Sequence, residues 1–89
     1  MEAKKIATAG SLESSDALVT ISPAAGPGVE YKIDSIVMKQ YGRRIKSVTE
    51  EVVSASGLSG AMVRVQDRGA LECTLRARLE TAIGRAAST

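Results

Sequence analysis

The stretch that most constrains the fold is Val37 to Ala55. Its apolar residues fall at Val37, Tyr41, Ile45, Val48, Val52 and Ala55, so they form one stripe of an amphipathic helix. Lys39, Arg43, Lys46 and Glu50 lie mainly off that stripe. Asp34 or Ser35 stands where an N-cap is expected, and Ser56-Gly57 where a helix stops. Gly42 sits inside the helix at a cost of about 1 kcal/mol against alanine, which close packing on a sheet or a partner would offset. On both sides of this helix the period changes to alternation. In Val29–Asp34, Val29, Tyr31 and Ile33 point one way and Glu30, Lys32 and Asp34 the other; in Gly60–Gln66, Ala61, Val63 and Val65 oppose Arg64 and Gln66. Two strands joined through a helix within one sheet run parallel, with a right-handed crossover.

A further run, Ala17–Ser22, precedes them, with Ala17, Val19 and Ile21 on one face and Thr20 and Ser22 on the other. Leu18 breaks the alternation, so both faces are expected to be partly covered. Pro23–Gly28 is a loop, and the runs on either side of it are expected to pair as an antiparallel hairpin. Leu71, Leu75, Leu79, Ala82, Ile83 and Ala86 give the stripe of a last helix, entered through the turn Asp67-Arg68-Gly69. The order strand, strand, helix, strand, helix implies a small α+β domain, with its helices on one face of a three-stranded mixed sheet.

A chain of 89 residues makes one domain with a modest core that leans on partners. Tyr31 and Tyr41 are the only aromatic residues, so Val, Ile, Leu, Met and Ala must build that core. Histidine is absent, which removes any Ser–His or Cys–His pair from the chain. The single cysteine, Cys73, excludes an internal disulfide and makes a zinc site improbable; it reads as a small, partly buried packing residue. Gly26-Pro27-Gly28 has neither of the phosphate-loop spacings. These absences argue against an enzyme that works alone. Twelve basic against ten acidic residues, net +2, argue against nucleic acid or an anionic membrane as partner. No run is long enough to span a bilayer, and Ile6–Ala9 after Lys4-Lys5 is too short for a signal peptide, so the expected location is cytoplasmic.

Residues 1–16 lack sustained periodicity and read as a mobile arm ahead of a globular core at 17–89. The arm ends in Gly10-Ser11-Leu12-Glu13-Ser14-Ser15-Asp16, two adjacent hydroxyls between two carboxylates. Chemistry alone leaves two readings open: a turn or cap, or a serine presented for covalent modification.

This motif resembles the N-terminal motif of the citrate lyase acyl carrier protein (gamma chain) family. A second run is also similar to that family: Asp67-Arg68-Gly69-Ala70-Leu71-Glu72-Cys73-Thr74-Leu75-Arg76-Ala77-Arg78-Leu79-Glu80. The likeness covers nearly the whole chain and includes the spacing of the two motifs. It implies that Ser14 carries a 2'-(5''-phosphoribosyl)-3'-dephospho-coenzyme A (phosphoribosyl-dephospho-CoA) arm, joined through a phosphodiester by a dedicated prosthetic-group transferase. The arm's thiol would hold acetyl and citryl thioesters while the alpha chain (acyl transferase) and the beta chain (citryl lyase) convert citrate to acetate and oxaloacetate. The chain itself would be a carrier subunit and not catalytic alone. Glu13 and Asp16 are then candidates for positioning Ser14, or serve only to keep the arm solvated. The family commonly has a small residue, often glycine, at the place of Ser15, so Ser15 is a mild departure.

Carriers of malonate decarboxylase or citramalate lyase fit the same features. Two readings from other classes are a nucleic-acid-binding module, which lacks stacking aromatics here, and a purely structural subunit. Arg76 and Arg78 project about 200° apart on a helix, so they cannot form one anion clamp; a solvated role is expected, with contact of one of them to the phosphates of the arm or to a partner subunit as the alternative.

Overall fold

The structure, a computed structural model, describes residues 1–88. Four strands and two helices follow in the order β1 (Ala7–Gly10), β2 (Ala17–Pro23), β3 (Val29–Ser35), α1 (Met38–Ser56), β4 (Ala61–Asp67) and α2 (Glu72–Ala87). The sheet order is β1-β2-β4-β3. β2 is antiparallel to both β1 and β4, whereas β3 runs parallel to β4, as the α1 crossover between them requires. The architecture is therefore α+β with a mixed sheet, and it has four strands where three were expected. β2 and β3 do not form the expected hairpin, because β4 inserts between them. β4 is central, with Ile21 and Val19 of β2 beside Val63 and Val65 on one side and Tyr31 and Ile33 of β3 on the other.

The inward rows follow the alternation. Ala9, Val19, Val65 and Ile33 stand across the sheet in one row, and Ala7, Ile21, Val63 and Tyr31 in the next. Ala17, Val19, Ile21, Ala61, Val63 and Val65 are fully buried. The helices cover this face, α2 over β1 and β2 and α1 beside β3. Leu18, Thr20, Met62, Gln66 and the charged residues of β3 turn to the other, open face.

The N-terminal segment is built differently from expectation. Residues before Ala17 are not all outside the folded body. Ala3, Ala7 and Ala9 are buried, β1 pairs along β2, and the Lys4 amide donates to the Ala86 carbonyl at 2.8 Å. The Arg85 guanidinium holds the Thr8 carbonyl at 2.8 Å. The folded body thus begins well ahead of residue 17, and the stretch that stands off it is the loop Ser11–Asp16 between β1 and β2. The sequence Ala-Thr-Ala-Gly hides this strand because its side chains are too small to show alternation. Small side chains are also what let α2 approach the sheet there.

Helix α1 begins after Val37 rather than on a side-chain cap, and Gly57 ends it at φ +73°. Its stripe is shifted from the expected one. Thr49 and Val53 are buried, while Tyr41 and Ala55 are exposed. A threonine reaches the core because its hydroxyl donates back to the Ile45 carbonyl at 2.8 Å, which satisfies the oxygen. In α2, Leu75, Leu79, Ala82, Ile83 and Ala86 are buried as expected. Leu71, just ahead of α2, is 70 % exposed, and Cys73 is exposed, not packed, because it stands about 200° around the helix from the buried Leu75.

Candidate functional site

The two motifs meet at one end of the sheet. Ala17, Asp67 and Ser35 stand in one register row there, so the β1–β2 loop, the β4–α2 turn and the approach to α1 are neighbours.

Gly10 opens the loop at φ +93°, and a Cβ there would lie 1.8 Å from the Ala17 carbonyl oxygen, so no other residue fits. Beyond it the chain makes a tight turn: the Asp16 amide donates to the Glu13 carbonyl at 3.2 Å, with Ser14 and Ser15 at the two corner positions. Ser15 has φ +63° and is the one described non-glycine residue in the left-handed region. Both serines are exposed, and neither hydroxyl has a hydrogen-bond partner among the described residues.

The turn is clamped from below. The Ser15 amide donates to the Arg68 carbonyl at 2.8 Å, and the Arg68 amide donates to the Asp16 carbonyl at 2.8 Å. Asp16 takes a fork from Arg78, Nε to Oδ1 at 2.9 Å and Nη2 to Oδ2 at 3.2 Å. Its carboxylate also accepts the Ser11 hydroxyl at 2.7 Å and the Ala17 amide at 2.7 Å. The Arg78 guanidinium, then Ser11 and the Ala17 amide, hold the Asp16 carboxyl down at about 2. A carboxylate so committed cannot take a proton from a neighbouring serine near neutral pH. Of the two candidate positioning residues, Asp16 shapes the loop through its side chain, while Glu13 contributes its backbone carbonyl and keeps its side chain exposed.

Asp67 organises the clamp, and sequence reasoning gave it no such role. It is buried and accepts the Ser35 hydroxyl at 2.7 Å, the Gly69 amide at 3.1 Å and the Ala70 amide at 3.0 Å. The pattern Asp-x-Gly-Ala ahead of a helix is the visible signal for such a turn. Arg76 and Arg78 do project to opposite sides, but neither is simply solvated. Arg76 bridges the helices, to Glu51 at 3.0 Å and Glu72 at 3.2 Å.

A family model of acyl carrier proteins, described as malonate decarboxylase delta subunit (MdcD), matches residues 4–86. The citrate lyase acyl carrier protein of Klebsiella pneumoniae is 53% identical over 87 residues, covering 98% of this chain and 90% of that one. The chain belongs to the citrate lyase acyl carrier protein family. Other relatives so named, from Streptococcus equi subsp. equi and Escherichia fergusonii, are 46% identical over 98% of this chain and cover 85% and 90% of their own length. Among solved structures, a chain in the crystal structure of a Pseudomonas malonate decarboxylase hetero-tetramer with malonate matches at TM-score 0.82 and 21% identity, over 94% of this chain and 86% of that one. That likeness speaks to the fold. In this member of the family the Ser11–Asp16 loop is an exposed projection whose base is tied to Arg68 and Arg78.

Proposed function

We propose that this chain is the acyl carrier subunit of a citrate lyase complex and that Ser14 is its point of covalent attachment. The observation that carries the reading is the placement of Ser14: an exposed hydroxyl without a partner, at the corner of a turn whose base is tied to Arg68 and Arg78. The residues suit the implied group, phosphoribosyl-dephospho-CoA, because esterifying the Ser14 Oγ would displace no existing hydrogen bond and meet no buried surface. When bound, that group would supply a thiol for carrying acyl units on a long tether, which keeps them at high effective concentration near successive active sites.

The chain's own residues hold and present. Gly10 and Asp16 fix the two ends of the loop, and Ser14 stands at its crown. Attachment would join the Ser14 Oγ to a phosphorus of the transferase's donor as the bond from that phosphorus to the donor's leaving group breaks, and with Asp16 engaged by Arg78 the Ser14 proton would go to a base of the transferase. During turnover Ser14 is a tether and moves no proton. The citrate lyase alpha and beta chains would perform acyl exchange and carbon–carbon cleavage, releasing acetate and oxaloacetate. A second reading, a carrier for malonate decarboxylase, is favoured by the description of the matching family model and by the structural likeness.

Intact mass of the protein from its native host, followed by mapping of the peptide over residues 1–22, tests the attachment. Addition of phosphoribosyl-dephospho-CoA on Ser14 is expected. A phosphopantetheine adduct would keep the carrier role and remove the group proposed. An unmodified chain from cells consuming citrate would overturn the reading in favour of a structural subunit. Co-purifying lyase or decarboxylase chains decide between the two acids.

A further inference from the structure

Arg68 faces the attachment loop from the start of the β4–α2 turn. Its amide donates to the Asp16 carbonyl at 2.8 Å, and its carbonyl accepts the Ser15 amide at 2.8 Å. Two residues of one segment thus oppose a single residue of the other, and the first of the two, Ser15, has φ +63°. This is a β-bulge at the end of the β2–β4 pair, with Ser15 in the left-handed position that glycine usually takes. Both bonds are made by main-chain atoms that any residue except proline supplies. The clamp therefore does not account for the guanidinium.

The bulge separates two groups that alternation would bring together. Leu18 and Gln66 are a register pair on the open face. Two residues further on, Asp16 and Arg68 would stand side by side on that same face and form an ion pair across the strands. Instead Asp16 turns to the helix side, where Arg78 takes both of its oxygens. Arg68 stays exposed, and its guanidinium has no hydrogen-bond or ion-pair partner among the described residues. Asp34 lines the same recess of about 160 Å³ without pairing with it. Of the arginines that reach β1 or the loop, Arg78 is committed to Asp16 and Arg85 to the Thr8 carbonyl, so Arg68 is the one left uncommitted.

Loading changes the charge at this point. A phosphodiester on the Ser14 Oγ sets a fixed negative charge next to Ser15 and beside the exposed Glu13 carboxylate, which repels it. Guanidinium is the side-chain cation best matched to phosphate oxygens, since its N–H groups can donate to two of them at once.

We propose that Arg68 is a positioning residue for the loaded arm: its guanidinium donates to the non-bridging oxygens of the phosphodiester formed at Ser14 and so fixes the direction in which the tether leaves the loop. The inference rests on the attachment proposed above and adds to it a residue of the second motif.

The test compares the unloaded chain, produced without the transferase, with the loaded chain from the native host, in the parent, Arg68→Gln and Arg64→Gln. Intact mass and peptide mapping first establish the adduct on Ser14 in each loaded sample. Arg64 is exposed on the open face in the register row of Thr20 and Lys32, so its replacement removes the same charge away from the loop. Arg68→Gln keeps the main-chain clamp, and each variant is compared with its own unloaded form, so a change in intrinsic stability cancels. Nitrogen NMR of the parent follows the Arg68 Nε–H, assigned by its absence from Arg68→Gln. On loading, this signal is expected to shift and its exchange with water to slow severalfold. In urea unfolding, loading is expected to raise the folding equilibrium constant of the parent and of Arg64→Gln about two- to fivefold more than that of Arg68→Gln, a difference that shrinks as salt is added.

The proposal is overturned by an Arg68 signal that does not respond to loading, by an equal gain in Arg68→Gln, or by a loss in Arg64→Gln as large as in Arg68→Gln, which would mark a general effect of net charge. If Arg68→Gln comes from the host unloaded, the Arg68 signal of the parent decides. A phosphopantetheine adduct brings the same diester and is expected to give the same pairing. An unmodified Ser14 removes the attachment and this pairing together, whereas a loaded Ser14 with an indifferent Arg68 removes the pairing alone.

Discussion

Arg78 grips both carboxylate oxygens of Asp16, at 2.9 and 3.2 Å, across 62 residues of sequence. This fork joins the last helix to the far end of the Ser14 loop, so the loop's shape depends on a charge. Asp16 titrates at about 2, below its ordinary 3.8. Its folded-state pKa is depressed, so the stabilisation it gives is complete above the ordinary value and is lost as pH falls from 3.8 through about 2. In Arg78→Ala the Asp16 midpoint should move up toward the ordinary value, measured by carbon NMR titration of the carboxyl group. The stability difference between parent and variant should be constant near neutral pH and shrink below pH 3.8. An unmoved midpoint would mean that Ser11 and the Ala17 amide hold the carboxylate without help from Arg78.

Asp67 ought to be the most sensitive polar position. Truncating it to alanine removes the buried acceptor of the half-buried Ser35 hydroxyl and Gly69 and Ala70 amides. Loss of such partners costs about 1–3 kcal/mol per stranded buried group, less where water can enter. Asp67→Ala should therefore lower unfolding stability in urea by about 2–4 kcal/mol by the same reasoning. Asp67→Asn retains an acceptor and should cost less.

Alternation in Val19–Ile21, Tyr31–Ile33 and Val63–Val65 was readable because branched side chains face one covered side of the sheet. The parallel β3–β4 pair followed from the helix between them. Ala7–Gly10 was not readable as a strand, since alanine and glycine carry no periodic contrast, and its partner β2 is found only through tertiary packing. The placement of β4 between β2 and β3 also depends on which apolar faces compete for the centre, which local pattern does not encode. At the site, Ser14 and the flanking carboxylates could be singled out, but Asp16 could not be assigned to Arg78. An ion pair at such separation is set by topology. The helical period puts Tyr41 in the apolar stripe, yet it is exposed, since period alone ignores where the covering element ends.

The glycines Gly10 and Gly42 should respond oppositely to alanine. At Gly10 the new Cβ would lie 1.8 Å from a backbone oxygen and φ is +93°, so β1 must part from β2. A loss of at least about 2 kcal/mol is expected, since overpacking and left-handed strain add. At Gly42 the nearest atom is the Met38 Sδ at 2.5 Å, the far end of a flexible side chain. Moving it is cheap, and Gly42→Ala should gain up to about 1 kcal/mol of helix stability. Urea unfolding of both variants checks the contrast. A destabilised Gly42→Ala would show that Met38 is fixed in place.

Ser15 offers the sharpest test of which hydroxyl is used. Its φ of +63° suits glycine, so Ser15→Gly removes about 1 kcal/mol of left-handed strain. The extra freedom of glycine in the unfolded chain takes back about 0.5–1 kcal/mol, and the net change in stability should be small. Ser15→Val should instead lose about 1–2 kcal/mol, because a β-branched residue resists that conformation and opens the Glu13–Asp16 turn. Covalent loading in the native host, read by intact mass, should persist in Ser15→Gly and vanish in Ser14→Ala. Since Ser15→Gly keeps the turn and its clamp to Arg68, loss of loading there with retention in Ser14→Ala would transfer the attachment to Ser15.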